Sequence, residues 1–291
     1  MPRLSVPLTH RTVHRAGVRL HVVDAGPADG EPVILLHGFP EFWYGWRAQI
    51  PALAAAGYRV VVPDQRGYNR SDTPAAVAAY DLRHLVDDVR AVIASTEAER
   101  AHVVGHDWGA AVAWALAAWH PTCVRRLAIL NVPHLDVFHR TLRTSPAQLL
   151  RSAYIFFFQL PRLPERILSW RDHAVLAHLL VRSGQPDTFS KADLAAYRVA
   201  WRRPGVVRSM LHWYRAAARR ALAGPAPLGC IEPPTLVIWG ARDVALQRAM
   251  ARPSVAQCRQ GRLAVIKDAT HWVQHDAAMR VNALLTGFLQ G

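Results

Sequence analysis

The sequence predicts an α/β protein: a mostly parallel central sheet with helices on both faces and an all-helical segment inserted before the last strands. Short apolar runs alternate with amphipathic stretches from Thr9 to Asn131. The alternation stops at Pro133-His134 and resumes only at Thr235. Within the first alternating part, Gly105-His106-Asp107-Trp108-Gly109 joins an apolar run to a small-residue helical pattern, as a tight strand-to-helix turn does.

Taken in order, Thr9 to Asp24 alternates around Ala16-Gly17 and reads as a hairpin. Pro32 to His37 and Tyr58 to Pro63 are continuous apolar runs, the pattern of strands buried on both faces. Gly45 to Ala56 and Leu82 to Thr96 read as helices, and Val124 to Asn131 as a further strand. From Pro133 to about Arg220 only helical patterns appear, among them Pro146 to Leu160, Leu163 to Leu180 and Lys191 to Trp201. Gly224-Pro225-Ala226-Pro227-Leu228-Gly229 has the composition of a linker. Strand Thr235 to Trp239, a helix near Leu246 to Ala251, strand Leu263 to Ile266 and a helix from about Ala277 to Leu289 close the chain. The expected division is a core from residues 1–133 and 223–291, with a helical cap at 134–222.

Composition narrows the function classes. A chain of 291 residues that is 51% hydrophobic and 19% charged can bury a sizeable core, and disorder is not expected. It has no signal-peptide pattern and no apolar run of the roughly 20 residues that a membrane helix needs, so a cytoplasmic protein without a membrane partner is expected. Cys123, Cys230 and Cys258 lie far apart without metal-ligand spacing, which argues against disulfides and thiolate sites. The net charge of +14 invites a nucleic-acid reading. Its basic residues, however, are spread from Arg3 to Arg280 rather than clustered, and nucleic-acid binding is not expected.

The elbow carries the chemistry. Its tip, Asp107, occupies the place where such turns usually present a Ser nucleophile. A carboxylate there suits displacement at a saturated carbon, giving an alkyl ester that water then hydrolyses. That points to epoxides or alkyl halides rather than esters or peptides. Ligands of an open parallel sheet bind beyond the carboxyl ends of its strands. Phe39, Asp107, Asp243 and His271 all follow predicted strands, and the order nucleophile, acid, His is one this architecture uses. Asp136 and Asp268 are fallback candidates for the acid. His37, His106 and His120 are read as loop hydrogen-bonding groups, and the His271/His275 pair lacks the Glu of a zinc-protease helix, so no metal is expected.

The chain resembles an α/β-hydrolase of the epoxide hydrolase kind. The resemblance rests on His37-Gly38-Phe39-Pro40-Glu41-Phe42-Trp43, Asp64-Gln65-Arg66-Gly67-Tyr68, the elbow, Trp239-Gly240-Ala241-Arg242-Asp243 and Thr270-His271-Trp272. In the cap, Tyr154 before Phe158-Gln159-Leu160-Pro161, and Tyr214 within His212-Trp213-Tyr214-Arg215, match the family's two ring-opening tyrosines. It implies a cofactor-free hydrolase taking a small hydrophobic epoxide and water, with Asp107 as nucleophile, His271 as base and Asp243 as its partner. Tyr154 and Tyr214 would act as proton donors, and the backbone N–H groups of Phe39 and Trp108 as the oxyanion hole. Phe39, Trp108 and both tyrosines would also touch substrate. The elbow is shared with haloalkane and haloacetate dehalogenases, which stand as the alternative; a non-catalytic ligand-binding relative is a third reading. Asn69 and Val244 depart from the family pattern, where Gly and Pro are usual. Spacing leaves open whether Phe156, Phe157 and Phe158 are cap core or pocket wall.

Overall fold

The computed structural model describes residues 4–224 and 227–291, so Pro225 and Ala226 of the expected linker lie outside the described residues. The chain opens with the hairpin β1 (Thr9–Arg15) and β2 (Val18–Ala25), turned by Ala16 and Gly17, both at positive φ. β3 (Pro32–Leu36), α1 (Gln49–Ala55), β4 (Arg59–Pro63), α2 (Leu82–Ala94), β5 (Ala101–His106), α3 (Trp108–Trp119) and β6 (Val124–Leu130) follow. Six helices then intervene without a strand: α4 (Leu135–Thr144), α5 (Pro146–Arg151), α6 (Ala153–Phe157), α7 (Leu163–Ser183), α8 (Lys191–Trp201) and α9 (Val206–Leu222). β7 (Thr235–Gly240), α10 (Ala251–Val255), β8 (Gly261–Ile266), α11 (Val273–Asp276) and α12 (Ala278–Gln290) complete the chain.

The eight strands form one sheet in the order β1-β2-β4-β3-β5-β6-β7-β8. Pairing is antiparallel from β1 through β2 to β4 and parallel across the rest. β3, β5 and β7 are buried at every position, as parallel strands covered on both faces must be. α3 is apolar nearly all round, and Gly109 through Ala117 are buried, the expected fate of a helix with no polar face. Among the described residues no helix is long and apolar enough to cross a membrane.

Several element boundaries differ from expectation, each for a local reason. The stretch Gly45 to Ala56 is a 3₁₀ turn at Trp43–Trp46 followed by α1. Pro146 to Leu160 divides at Ser152, where the backbone leaves helical geometry at φ −91°, ψ 4°. α7 breaks at Trp170–His173, where Asp172 at φ 56° turns its carboxylate to Arg202 at 2.6 Å. The helix expected near Leu246 begins only at Ala251, because the Asp243 carboxylate takes the N–H groups of Ala245 and Leu246 into a turn.

One of the tightest points of the fold is Gly109, where a Cβ would overlap the backbone of Leu36 and His37. Gly109→Ala should therefore lose stability at the upper end of the roughly 1–3 kcal/mol typical of overpacking, because backbone rather than a flexible side chain must yield. Gly287→Ala, exposed within α12 and with nothing near its missing Cβ, should gain about 0.5–1 kcal/mol. Urea melts of both variants, read at constant m, check the pair.

Candidate active site

The elbow is built by the crossing of two backbone segments. Asp107 stands between β5 and α3 at φ 50°, ψ −126°, a conformation a residue with a Cβ keeps only when its surroundings hold it there. Its carbonyl accepts from the N–H groups of Ala110 and Ala111 at 2.9 and 3.2 Å. Its carboxylate Oδ1 accepts from the Phe39 N–H at 2.6 Å, and the Trp108 N–H also serves the carboxylate. Burial pushes the Asp107 carboxyl up, but the His271 hydrogen bond and charge, His106 and the Trp108 N–H outweigh it and hold the group below its usual range. Asp107 is therefore an anion at the N-terminus of α3, where the helix dipole favours negative charge.

His271 faces it. Nε2 lies 3.5 Å from Asp107 Oδ2, while Nδ1 lies 2.8 Å from Asp243 Oδ2. Asp243 is fixed in turn: Oδ1 accepts from Ala245 and Leu246 N–H at 2.7 and 2.9 Å, and Oδ2 from Asn131 Nδ2 at 2.8 Å. Burial lowers the affinity of His271 for a proton, but the two carboxylates overcome this and raise its pKa to about 10. The fallback acids do not reach it. Asp136 accepts from the Leu228 and Gly229 N–H groups, and Asp268 forms an exposed pair with Arg242 at 2.7 Å.

Asn131 is a site residue that the sequence reading left inside a strand. It is fully buried at φ 55°, and its side-chain oxygen accepts from the Gly240 N–H at 2.9 Å, so it fastens the end of β6 to both β7 and Asp243. The signal was present: Asn131 is a polar residue directly after an apolar run, like the other four.

Above Asp107 lies a cavity of about 230 Å³ lined by Trp108, Tyr154, Tyr214 and largely apolar side chains. The tyrosine rings sit 5.9 Å apart, and Tyr214 packs edge-on to Trp108 at 5.0 Å and to Phe39 at 5.5 Å. Desolvation, with the Asp107 charge beside them, raises both phenols above their ordinary value, Tyr214 strongly so. Both are neutral donors at any physiological pH. The Trp108 ring, edge-on to Tyr214, offsets the Tyr214 rise only in part. The aromatic triplet divides: Phe158 is buried against Phe39 and Tyr214, whereas Phe156 is 63% exposed.

Around this centre the remaining histidines serve loops. His37 Nε2 accepts from the Gln65 N–H at 3.0 Å, and His106 Nε2 donates to the His271 carbonyl at 2.9 Å. His120 sits at the far end of α3. His275 points away from His271, its Nε2 2.7 Å from Glu41 Oε1, so the i,i+4 pair does not converge. Glu41 was not singled out by sequence reasoning. It is buried, receives Tyr197 of the cap, His275 and Gln274, and is held well below the carboxylate range by the two histidines beside it despite its burial. The Asn69 departure also has its reason. Asn69 adopts φ 42°, a left-handed conformation that Asn tolerates, and its Nδ2 donates to Asp64 Oδ2 at 2.8 Å. Val244 is exposed beside the Asp243 turn and touches no part of the constellation described here.

Comparison with known proteins agrees with this arrangement. The family model of the α/β hydrolase fold matches residues 31–278. The chain is 41% identical over 278 residues to AB hydrolase superfamily protein YfhM of Bacillus subtilis, covering 96% of each. It is 36% identical to Epoxide hydrolase 2 of Caenorhabditis elegans, over 96% of this chain and 79% of that protein. Among solved structures, an epoxide hydrolase of Bacillus megaterium in complex with an inhibitor superposes with a TM-score of 0.88 at 29% identity, covering 97% of this chain and all of the other. Sheet order, elbow and sequence kinship together place this chain in the α/β-hydrolase fold family, to which it belongs.

Proposed function

We propose that the protein is an epoxide hydrolase that converts hydrophobic epoxides to vicinal diols through an ester on Asp107. The observation that carries this reading is the pair of neutral phenols, buried Tyr214 and the more accessible Tyr154, which line the same largely apolar cavity as Asp107. An opening epoxide releases an alkoxide, which needs a proton donor as the bond breaks; phenols supply one without being ionised beforehand. A departing halide needs N–H donors instead. Here Phe39 offers no side-chain donor to stand beside the Trp108 indole, which favours the epoxide over the dehalogenase reading. Similarity to several epoxide hydrolases supports the same choice.

In this reading Asp107 attacks an epoxide carbon, the C–O bond breaks, and a tyrosine gives its proton to the oxygen. The Phe39 and Trp108 N–H groups hold the carboxyl oxygen as water adds to the ester carbon, a role worth roughly 3 kcal/mol per donor. His271 takes the proton from that water, with Asp243 fixing its tautomer; the tetrahedral centre then collapses, the ester C–O bond breaks, the proton passes from His271 to the departing diol oxygen, and the Asp107 carboxyl returns its own proton to His271. Because His271 is cationic beside the free Asp107 anion, it must first lose a proton; that proton balances the one lent by the phenol. Segment 134–222 acts as the cap that brings the phenols over the nucleophile, and no cofactor takes part.

His271→Gln should still be alkylated but lack the base for the second step. Intact-protein mass spectrometry after mixing with an accepted epoxide should show a single adduct, absent in Asp107→Ala; an unmodified protein with substrate bound would rule out the covalent route. Tyr154→Phe and Tyr214→Phe should each slow single-turnover alkylation about tenfold to a hundredfold, since a hydrogen bond to a developing charge is worth roughly 1.5–3 kcal/mol. A double variant that opens epoxide at the wild-type rate would exclude the tyrosines.

The His271 titration provides a separate test. Its folded pKa, about 10, lies above the ordinary 6.5, so the stability it contributes is complete below pH 6.5 and is lost as pH rises towards 10. Asp107→Asn removes one of the two carboxylates responsible and should move the imidazole titration, followed by NMR, to lower pH. A titration that stays in place would mean Asp107 does not control His271.

A further inference from the structure

The cavity over Asp107 is walled by two helix faces of matching length. On α9, Tyr214, Ala217, Ala218 and Ala221 line it at spacing i, i+3, i+4, i+7, and on α4, Leu135, Phe138, His139 and Leu142 do the same. Seven residues at 1.5 Å each make either wall about 10 Å long. Exposure increases along α9: Tyr214 is buried, Ala217 and Ala218 are half-buried, and Ala221 is exposed. The cavity is thus a slot running from the nucleophile outward to the surface.

Its room comes from missing side chains. After Tyr214 the α9 wall is alanine apart from Arg220 at its outer end, and Ala111 of α3 also lines the cavity. The opposite flank of Asp107 is filled instead. The Phe39 ring lies 5.7 Å from Phe158 and 5.5 Å from Tyr214, and Phe158 packs on Tyr214 at 5.0 Å and on Tyr154 at 5.5 Å. A substituent on the second epoxide carbon would have to part these rings. Arg220 at the outer end is turned to Asp81 at 3.6 Å and lies over Trp119, leaving the slot walls apolar along most of their length.

We infer that the slot selects terminal epoxides bearing one unbranched apolar arm, bound epoxide-first, and that Ala217 and Ala218 set the width allowed to that arm. This rests on the epoxide-opening reading given above. The arm is buried over about 10 Å, and beyond Ala221 further length lies in solvent.

The experiment is a series of 1,2-epoxyalkanes of increasing length, with internal epoxides of the same carbon count, assayed for diol with the wild-type chain. The kcat/KM of terminal epoxides should rise roughly fourfold per methylene until the arm reaches the mouth, then level, and the internal isomers should fall well below the terminal ones. Ala217→Leu and Ala218→Leu should each cut the ratio of long-arm to short-arm kcat/KM by roughly tenfold or more, equivalent to about two or three lost methylenes, while Ala218→Ser keeps it. Diol formed as readily from internal as from terminal epoxides, a flat dependence on arm length, or leucine variants with an unchanged ratio would each overturn the slot and leave the epoxide hydrolase reading in place. Absence of diol from every epoxide would overturn both, and the wild-type series decides even where a leucine variant fails to fold.

Discussion

The site depends on one close crossing, where the start of α3 passes over the end of β3. Gly109 lies against the backbone of Leu36 and His37, and this approach is what bends the chain sharply enough to hold Asp107 at positive φ. The same crossing brings the Phe39 N–H within 2.6 Å of the Asp107 carboxylate. The relation between Asp107 and the Phe39 N–H is therefore set by backbone geometry rather than by side-chain rotamers, which makes it stiff. The His271 loop and the Asp243 turn are attached to this frame through β7 and β8, whose register is continuous from Thr235 to Gly240.

A second, buried frame ties the cap to it. Removing a carboxylate from water costs several kcal/mol unless donors replace the solvent. Glu41 has Tyr197 from α8, Gln274 and His275 from α11, and the resulting anion links three parts of the chain that are distant in sequence. Tyr44 and Arg47 meet Asp193 of α8 beside it, at 2.9 and 3.1 Å. Gln274 also donates to His106 Nδ1, which leaves His106 Nε2–H for the His271 carbonyl. The loop carrying the base is thereby held through the same cluster that seats the cap.

The elements of the sheet were legible because buried parallel strands write themselves as apolar runs, and the elbow because only small residues fit where its strand and helix meet. The positions of Asp107, Asp243 and His271 followed from one rule, polar residues after strands. Asn131 obeyed the same rule and was missed because it was read as the strand's last residue. Glu41 could not have been ranked from sequence: its partners Tyr197, Gln274 and His275 lie more than a hundred positions away, as the separations of 156, 233 and 234 residues show. The helix break at Asp172 likewise answers to a tertiary bond, to Arg202, that local periodicity does not contain. At Asn69, where Gly is usual, the side-chain amide donates a hydrogen bond to Asp64 Oδ2 and the backbone keeps the left-handed conformation of the turn.

One charge governs the proton affinities around the site. The Asp107 anion raises Tyr154, Tyr214 and His271 together. If Asp107 becomes an ester, that charge disappears from all three at once. The phenols then become stronger acids as the alkoxide forms, when a proton is needed. His271 becomes a weaker base, yet Asp243 still faces its Nδ1 at 2.8 Å, so it does not fall to the level of a buried histidine without a partner. Each unit of such a shift is 1.36 kcal/mol between the two protonation states, so bringing His271 from about 10 to neutrality takes roughly 4 kcal/mol, which loss of the Asp107 charge has to supply. In the proposed reaction, forming the ester would thus favour the first proton transfer and ready His271 for the second.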